Sequence, residues 1–260
     1  MSSGLAGRRV LVPRAGAWGV RVSAQCEERG ATAVTAPLIE TRPPHDLAAL
    51  ERFMAALVGG HYSWLFITSS ASVDVLRRYS VAIPESTSIA AVGESTRRSL
   101  EDAGYPVAFV PTGPSSSRAL IEQWKDHTRG LAGEAMLVMR SDLAPATVSD
   151  ELLLAGHSVD VCIAYRTVSI DLAAEIRREV VKGSFDVILV TSHSVAMELS
   201  RQLESVPSAT LFACLGPGTA REAKRLGLWP LVTATDQRID SLLDEIASFY
   251  LHGATEGHTS

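Results

Sequence analysis

The sequence predicts an α/β protein of two parallel, doubly wound domains, joined by a two-stranded β ribbon with a ligand cleft between them. Three observations predict it. First, short runs of Val, Ile, Leu and Ala alternate with helical patterns along all 260 residues. Continuous apolar strands of this kind belong to parallel sheets covered on both faces. Second, the chain repeats itself. Trp64-Leu-Phe-Ile-Thr-Ser-Ser-Ala-Ser-Val73 returns as Val187-Ile-Leu-Val-Thr-Ser-His-Ser-Val-Ala196. Thr68 and Thr191, Gly93 and Gly216, Thr96 and Thr219, and Gly104 and Gly227 all stand 123 positions apart. Leu11-Val-Pro-Arg14 returns as Leu137-Val-Met-Arg140, and Gly30 as Gly156, both 126 positions on. Such a repeat means two copies of one supersecondary plan, and gaps between domains are where ligands usually lodge. Third, two long extended segments, 32–41 and 158–168, fit no compact βα unit and can pair into a ribbon. The domains then do not follow the halves of the sequence. Residues 1–37 with 168–260 form domain 1, 42–160 form domain 2, and 32–41 with 158–168 form the linker ribbon.

Residues 9–13 make a short strand of the buried type, and 14–19 a loop. A helix over 20–29 stops at Gly30, the residue that most readily takes the left-handed turn after a helix. Pro37 confines segment 32–41 to an edge or a connecting ribbon. Arg42-Pro-Pro-His45 is a break. Leu47, Leu50, Met54 and Leu57 fall at helical spacing and place a helix over 47–58. The first repeat core has strands at 64–67, 88–92 and 107–110, and helices at 71–79, 96–103 and 118–125. A polar loop over 111–117 opens the last of these. The second half answers with strands at 135–139, 185–190 and 209–215 and helices at 146–155, 172–181 and 240–250. A further helix follows Gly216-Pro-Gly218. Residues 252–260 read as a frayed tail.

Composition narrows the function classes. A hydrophobic share of 46% with 20% charged residues fits a soluble globular protein. No apolar run is long enough to span a bilayer. In the N-terminal stretch Met1 to Arg9 the charge follows a short run of small residues, the reverse of a signal peptide, so a cytoplasmic protein is expected. Cys26, Cys162 and Cys214 are odd in number and far apart, as for reduced core thiols without metal spacing. The net charge is −5 with no basic block, which argues against nucleic acid. An anionic ligand would be repelled by the chain as a whole. It would need local donors: helix N-termini, hydroxyls and a few placed arginines.

Four turns supply such donors, each an apolar strand, then a small hydroxyl- or Gly-rich loop, then a helix. They are Thr68-Ser69-Ser70, Gly93 to Thr96, Thr191-Ser192-His193-Ser194, and Gly216-Pro217-Gly218-Thr219. In a doubly wound sheet all four fall at the carboxyl edge, with free N–H groups and positive dipole ends toward it. Ser and Thr at these places are equally good helix caps. None of the turns matches the dinucleotide fingerprint or the P-loop. Arg14 and Arg140 each end a repeat-equivalent strand and offer a forked donor to carboxylate or phosphate, or lie on the surface of a loop. Tyr165, late in the second ribbon segment, is a neutral phenol able to give a proton to a leaving group, or a filler of a strand face. His193 has no partner at metal-ligand spacing and reads as incidental. There is no Ser–His–Asp signature and no Gly-x-Ser-x-Gly elbow. The residues describe a site rich in neutral donors, suited to an anionic ligand and a reaction that needs positioning.

In order and spacing these residues resemble the uroporphyrinogen-III synthase family over nearly the whole chain. The resemblance rests on the early strand ending in Arg14, Phe66-Ile-Thr-Ser69, Ala91-Val-Gly93 with Thr96, Ala164-Tyr-Arg-Thr167, Thr191-Ser-His-Ser194 and Gly216-Pro-Gly-Thr-Ala220. It implies two flavodoxin-like domains on a two-stranded ribbon. It also implies a substrate, hydroxymethylbilane, a linear tetrapyrrole with eight carboxylates. The family's enzyme, a lyase of tetrapyrrole biosynthesis (haem, sirohaem, cobalamin), closes the ring, loses water and inverts the last pyrrole, with neither metal nor organic cofactor. By position, Tyr165 matches the family's tyrosine that helps the terminal hydroxyl leave. Ser69, Ser194 and Thr219 match hydroxyls that line the cleft. Arg14, Thr68, Ser70, Gly93, Thr96, Arg140, Thr191, Ser192 and Gly218 complete the expected binding set. His193 stands where relatives often carry Pro or a small residue, and Gly218 where a second Thr can occur. A monomer meeting porphobilinogen deaminase transiently is the implied partnership, with no nucleic acid and no membrane. The competing reading is a non-catalytic two-domain sensor for an anionic ligand. A phosphorylated, receiver-like regulator would need acidic residues at strand ends, where this chain has Thr, Ser and Gly.

Overall fold

The computed structural model describes residues 4–113, 115–229 and 231–252, without the side chains of Ala17 and His252. The expected tail, beyond residue 252, lies outside the described residues. In chain order the first elements are β1 (Arg9–Val12), α1 (Gly16–Glu28), β2 (Thr32–Thr35), β3 (Ile39–Arg42), α2 (Leu47–Val58), β4 (Trp64–Ile67) and α3 (Ser70–Arg78). There follow β5 (Ser88–Ala91), α4 (Glu94–Asp102), α5 (Ser117–His127), β6 (Ala135–Ser141), α6 (Thr147–Leu154) and β7 (Ser158–Ser169). The chain closes with α7 (Ala174–Val181), β8 (Val187–Val190), α8 (His193–Gln202), β9 (Leu211–Cys214), α9 (Pro217–Arg225), β10 (Leu231–Thr233) and α10 (Ile239–His252). No helix among the described residues is long and apolar enough to cross a membrane.

The chain forms two compact units, Met1–Glu40 with Val168–Ser260, and Thr41–Thr167. Unit one holds a five-stranded sheet in the order β10-β9-β8-β1-β2, every adjacent pair parallel. Renumbered within the unit, this is the 2-1-3-4-5 order of flavodoxin-like sheets. Unit two holds a five-stranded sheet in the order β3-β7-β6-β4-β5, parallel from β7 to β5.

Each sheet is buried on both faces, which is why its strands read as unbroken apolar runs rather than alternating ones. In unit one, Leu11, Ile188 and Phe212 pack with residues of α7, α8 and α9. Val10, Val187, Leu189 and Leu211 pack with Val22 and Cys26 of α1 and Leu242, Leu243 and Ile246 of α10. In unit two, Leu65, Ile67, Ile89 and Leu137 meet α2, α3 and α4. Phe66, Met136 and Val138 meet α5 and α6, where the fully buried Trp124 stands edge-on to Phe66 with ring centroids 5.1 Å apart. Neighbours on a strand thus serve opposite cores, the period-two consequence of the pleat.

The internal repeat appears in space residue by residue. Strands β4 and β5 begin 123 positions before β8 and β9, and β1 and β2 begin 126 positions before β6 and β7. Consequently β7, β6, β4 and β5 occupy in unit two the places of β2, β1, β8 and β9 in unit one. The chain order differs, because unit two reaches the β4-β5 pair before the β6-β7 pair.

The structure corrects four expectations. Segment 32–41 is not one ribbon strand: it breaks at Ala36-Pro37-Leu38, β2 pairs with β1 inside unit one, and only β3 lies beside β7. The regular ladder ends at Thr35, although Ala36 and Leu38 still donate their N–H groups to the carbonyls of Val12 and Pro13. The first helix begins at Gly16, not at residue 20. Two glycines made this turn read as a loop, yet Gly19 permits it, because a Cβ there would collide with the carbonyl oxygen of Arg14. Residues 107–110 form no ladder and touch the sheet through a single parallel bridge from Phe109 to Ala90. Strand β10, three residues long, was not expected.

Burial sets the titration of three cysteines and one histidine. All three cysteines are free and buried; desolvation pushes the Cys26 thiol up to about 11 and those of Cys162 and Cys214 up to about 12. In native protein at pH 8, therefore, no thiol should react with a disulfide reagent, and all three should react after denaturation. His157 is 6% exposed, and its Nδ1 is buried with no hydrogen-bond partner among the described residues. Desolvation holds its pKa below the ordinary 6.5. The unfolded chain takes up the proton first, so this contribution to stability is complete above pH 6.5 and is lost as pH falls toward the folded-state value. Thermal melts between pH 7.5 and pH 5 should show a shallower acid loss for His157→Phe than for the parent; equal slopes would contradict the assignment.

Candidate functional site

In a doubly wound sheet the ligand position is the carboxyl edge where the strand order reverses. In unit two the chain runs outward from β4 to β5 and, on the other side, from β6 to β7. The loops after β4 and β6 therefore flank the reversal. They are tied together: Thr68 donates both its N–H (3.3 Å) and its hydroxyl (3.2 Å) to the carbonyl of Met139. Ser69 is the N-cap of α3, its side chain accepting from the N–H of Ser72 at 3.4 Å. Its Oγ also lies 3.2 Å from Ser72 Oγ.

Tyr165 reaches this turn from β7 because the ladder slips. Arg140 pairs with Ile163, but Ser141 pairs with Tyr165, leaving Ala164 as an extra residue. A bulge of this kind re-aims the side chain that follows it. Asp142 fixes the new course. Its N–H donates to the Tyr165 carbonyl (3.2 Å), and its carboxylate accepts from the N–H groups of Leu143 (3.0 Å) and Thr167 (3.1 Å). The phenol oxygen of Tyr165 then stands 3.0 Å from Ser69 Oγ.

The rest of this rim is amide-rich. Arg140, last but one on β6, donates Nη1 to the carbonyl of Ala144. Its Nε is buried and has no hydrogen-bond partner among the described residues. Ser70 and Ser95 link the first turns of α3 and α4, their hydroxyls 3.4 Å apart. Gly93 caps α4 with extended backbone; glycine is needed there because a Cβ would collide with the side chain of Ser115. Thr96, 4% exposed, sits inside α4, and its N–H bonds Gly93.

Unit one repeats the arrangement with differences. Its reversal lies between β1 and β8. Arg14 follows β1 with its guanidinium 5.2 Å from the ring centre of Trp18. Thr191 follows β8, and its hydroxyl, the counterpart of the one that Thr68 spends on Met139, is buried without a partner among the described residues. Ser192 caps α8, accepting from the N–H of Val195 at 3.3 Å. Ser194 and Thr219 are half-buried in the first turns of α8 and α9. Gly216 caps α9, and a Cβ on it would meet Gln237 Cγ at 2.8 Å. Gly218 has open space around it and would accept a side chain. His193 is exposed and faces Glu222, which Arg225 already holds, across 3.6 Å.

Two acidic groups at the rims are neutralised locally. The hydrogen bond from Arg97, aided by Arg98, lowers the Glu94 carboxyl to about 2. The hydrogen bond from Arg225 likewise lowers that of Glu222. The Glu94 pairs are solvated and add little to stability, but they cancel the charge that would oppose an anion at the α4 N-terminus; Glu222, in the second half of α9, lies beside His193 at the start of α8. No group of three His, Cys, Asp or Glu among the described residues is placed to hold a metal ion.

Of the expected site residues, Thr68, Ser69, Arg140 and Tyr165 gather at the reversal in unit two, while Ser70, Gly93 and Thr96 line the neighbouring helix starts. Arg14, Thr191, Ser192, Ser194, Gly218 and Thr219 belong to the rim of unit one. Ser69 and Ser192 are also the caps that their sequence context suggested. Sequence reasoning missed Ser72 and Asp142. Ser72 had a signal, standing three residues after a cap; Asp142 had none, because its role depends on the bulge.

Known proteins bear on this geometry. The family model described as uroporphyrinogen-III synthase HemD matches residues 20–244. A mutant uroporphyrinogen III synthase from Thermus thermophilus is 18% identical, with a TM-score of 0.64 over 95% of this chain and 100% of its own. The uroporphyrinogen-III synthetase of Helicobacter pylori is 16% identical, with a TM-score of 0.61 over 94% of this chain and 99% of its own. These two likenesses show a common fold. The family match, spanning residues 20–244 of the 260, shows that the chain belongs to the uroporphyrinogen-III synthase family.

Proposed function

We propose that the chain is a lyase that converts hydroxymethylbilane to uroporphyrinogen III, inverting the last pyrrole and releasing water. The observation that carries this reading is the phenol of Tyr165 held 3.0 Å from Ser69 at the strand-order reversal of unit two. That edge is where such sheets bind ligands, and the family match supplies the reaction. The substrate's carboxylates are met by helix N-termini, hydroxyls and Arg140 of unit two, donors that a chain of net charge −5 needs locally; Arg14 offers the same kind of donor on the rim of unit one.

The chemical demand on the protein is small. The C–O bond of the terminal hydroxymethyl group breaks, and its electron pair leaves with the hydroxyl. That hydroxyl takes the Tyr165 proton and departs as water. The cationic carbon left behind bonds to the substituted α-carbon of the last pyrrole; the older bond from that α-carbon to its bridging methylene breaks, and the methylene bonds instead to the free α-carbon of the same pyrrole, whose proton returns to the phenolate. The sum is loss of one water, with no oxidant or reductant. Holding the substrate so that the inverted rather than the direct closure occurs is the larger task, and it is one of geometry.

A coupled assay tests this. Porphobilinogen and its deaminase supply the substrate, the products are oxidised, and isomers I and III are separated. Isomer III is expected, and isomer I alone would overturn the reading. Tyr165→Phe should lose about a hundredfold in kcat while still giving isomer III; unchanged turnover would remove Tyr165 from the mechanism.

A further inference from the structure

Burial decides which way the hydroxyls of Ser72, Ser69 and Tyr165 point. Ser72 is 0% exposed. Among the described residues, the only partner of its hydroxyl is Ser69 Oγ, 3.2 Å away. A buried O–H without an acceptor bears the full cost of desolvation, so Ser72 donates to Ser69. Ser69 Oγ also receives the N–H of Ser72 at 3.4 Å. A serine oxygen has two lone pairs and one proton. With both lone pairs engaged, the proton of Ser69 goes to its remaining neighbour, Tyr165 Oη, at 3.0 Å. The phenol oxygen is therefore an acceptor on its protein side, and its own proton remains for a group outside the protein.

We infer that Ser72 and Ser69 are positioning residues whose one-way series of hydroxyl donors fixes Tyr165 as a proton donor facing the substrate. This role rests on the proposed reaction. Hydrogen bonds in series polarise one another, so each upstream donor strengthens the next. The proton of Ser69 is not transferred. When the phenol O–H bond breaks, its electron pair stays on the phenolate oxygen, and Ser69 remains bonded to that oxygen until the ring proton returns. The arrangement also explains a serine inside α3, where alanine would suit the helix better.

Ser72→Ala tests the inference, since it favours the helix and leaves the Ser69 cap in place. It should lower kcat about three- to tenfold with KM unchanged. In a Tyr165→Phe background the same substitution should change nothing further. An unchanged kcat, or an equal loss with and without the phenol, would overturn the inference, because the effect would then not pass through Tyr165. A parent chain that yields no isomer III would instead overturn the proposed reaction. Neutron diffraction from the deuterated protein reads the hydrogen positions whatever the activity. It should place the Ser69 deuteron on the line to Tyr165 Oη; a Tyr165 deuteron pointing at Ser69 would overturn the inference.

Discussion

Apart from the β3 edge, the strands of both sheets run parallel, and the site follows from that constraint. A parallel strand can reach its neighbour only by a crossover, so β1, β4, β5, β6, β8 and β9 each hand the chain to a helix at the same edge. That edge collects helix N-termini, with their unpaired N–H groups and positive ends. Covering both faces with helices buries Phe66, Phe185, Phe212 and Trp124 and leaves polarity to the rims. A chain with no basic block thereby acquires two concentrations of donor groups without adding a net charge.

Much of this was legible in the sequence because the repeat is faithful at the strands. Runs such as Trp64–Ile67 and Val187–Val190 are apolar throughout, since both faces of each strand are buried, and they locate the sheets without ambiguity. Legibility failed where a local rule yielded to tertiary contact. Gly16 and Gly19 read as loop, yet they begin α1, because the missing Cβ of Gly19 admits the carbonyl of Arg14. Residues 107–110 have the composition of a strand, and Val107, Phe109 and Val110 pack on the two cores of unit two, but they pair with β5 through one bridge only.

The site was legible residue by residue and illegible as an arrangement. Ser69, Thr68 and Tyr165 carry functional groups that stand out in any list. Their convergence depends on the extra residue Ala164, on Asp142 turning back to hold Thr167, and on Thr68 binding Met139. None of these leaves a periodic trace. The equivalence of the two copies misleads here as well: Thr68 spends its hydroxyl on the backbone, whereas that of Thr191 is buried without a partner among the described residues. Duplication preserved the scaffold and let the two rims diverge.

Unit two is one uninterrupted stretch, Thr41–Thr167, set into a unit one that is split around it. During synthesis this has a kinetic meaning. Every strand of the inserted sheet has been synthesised once Ser169 is made, so its pairings close over modest loops. Strand β1, by contrast, must wait for Val187 and Ile188, the partners of Val10 and Leu11. The inner module is thus free to mature first, while the outer one stays an open pair of strands until the second half of the chain arrives.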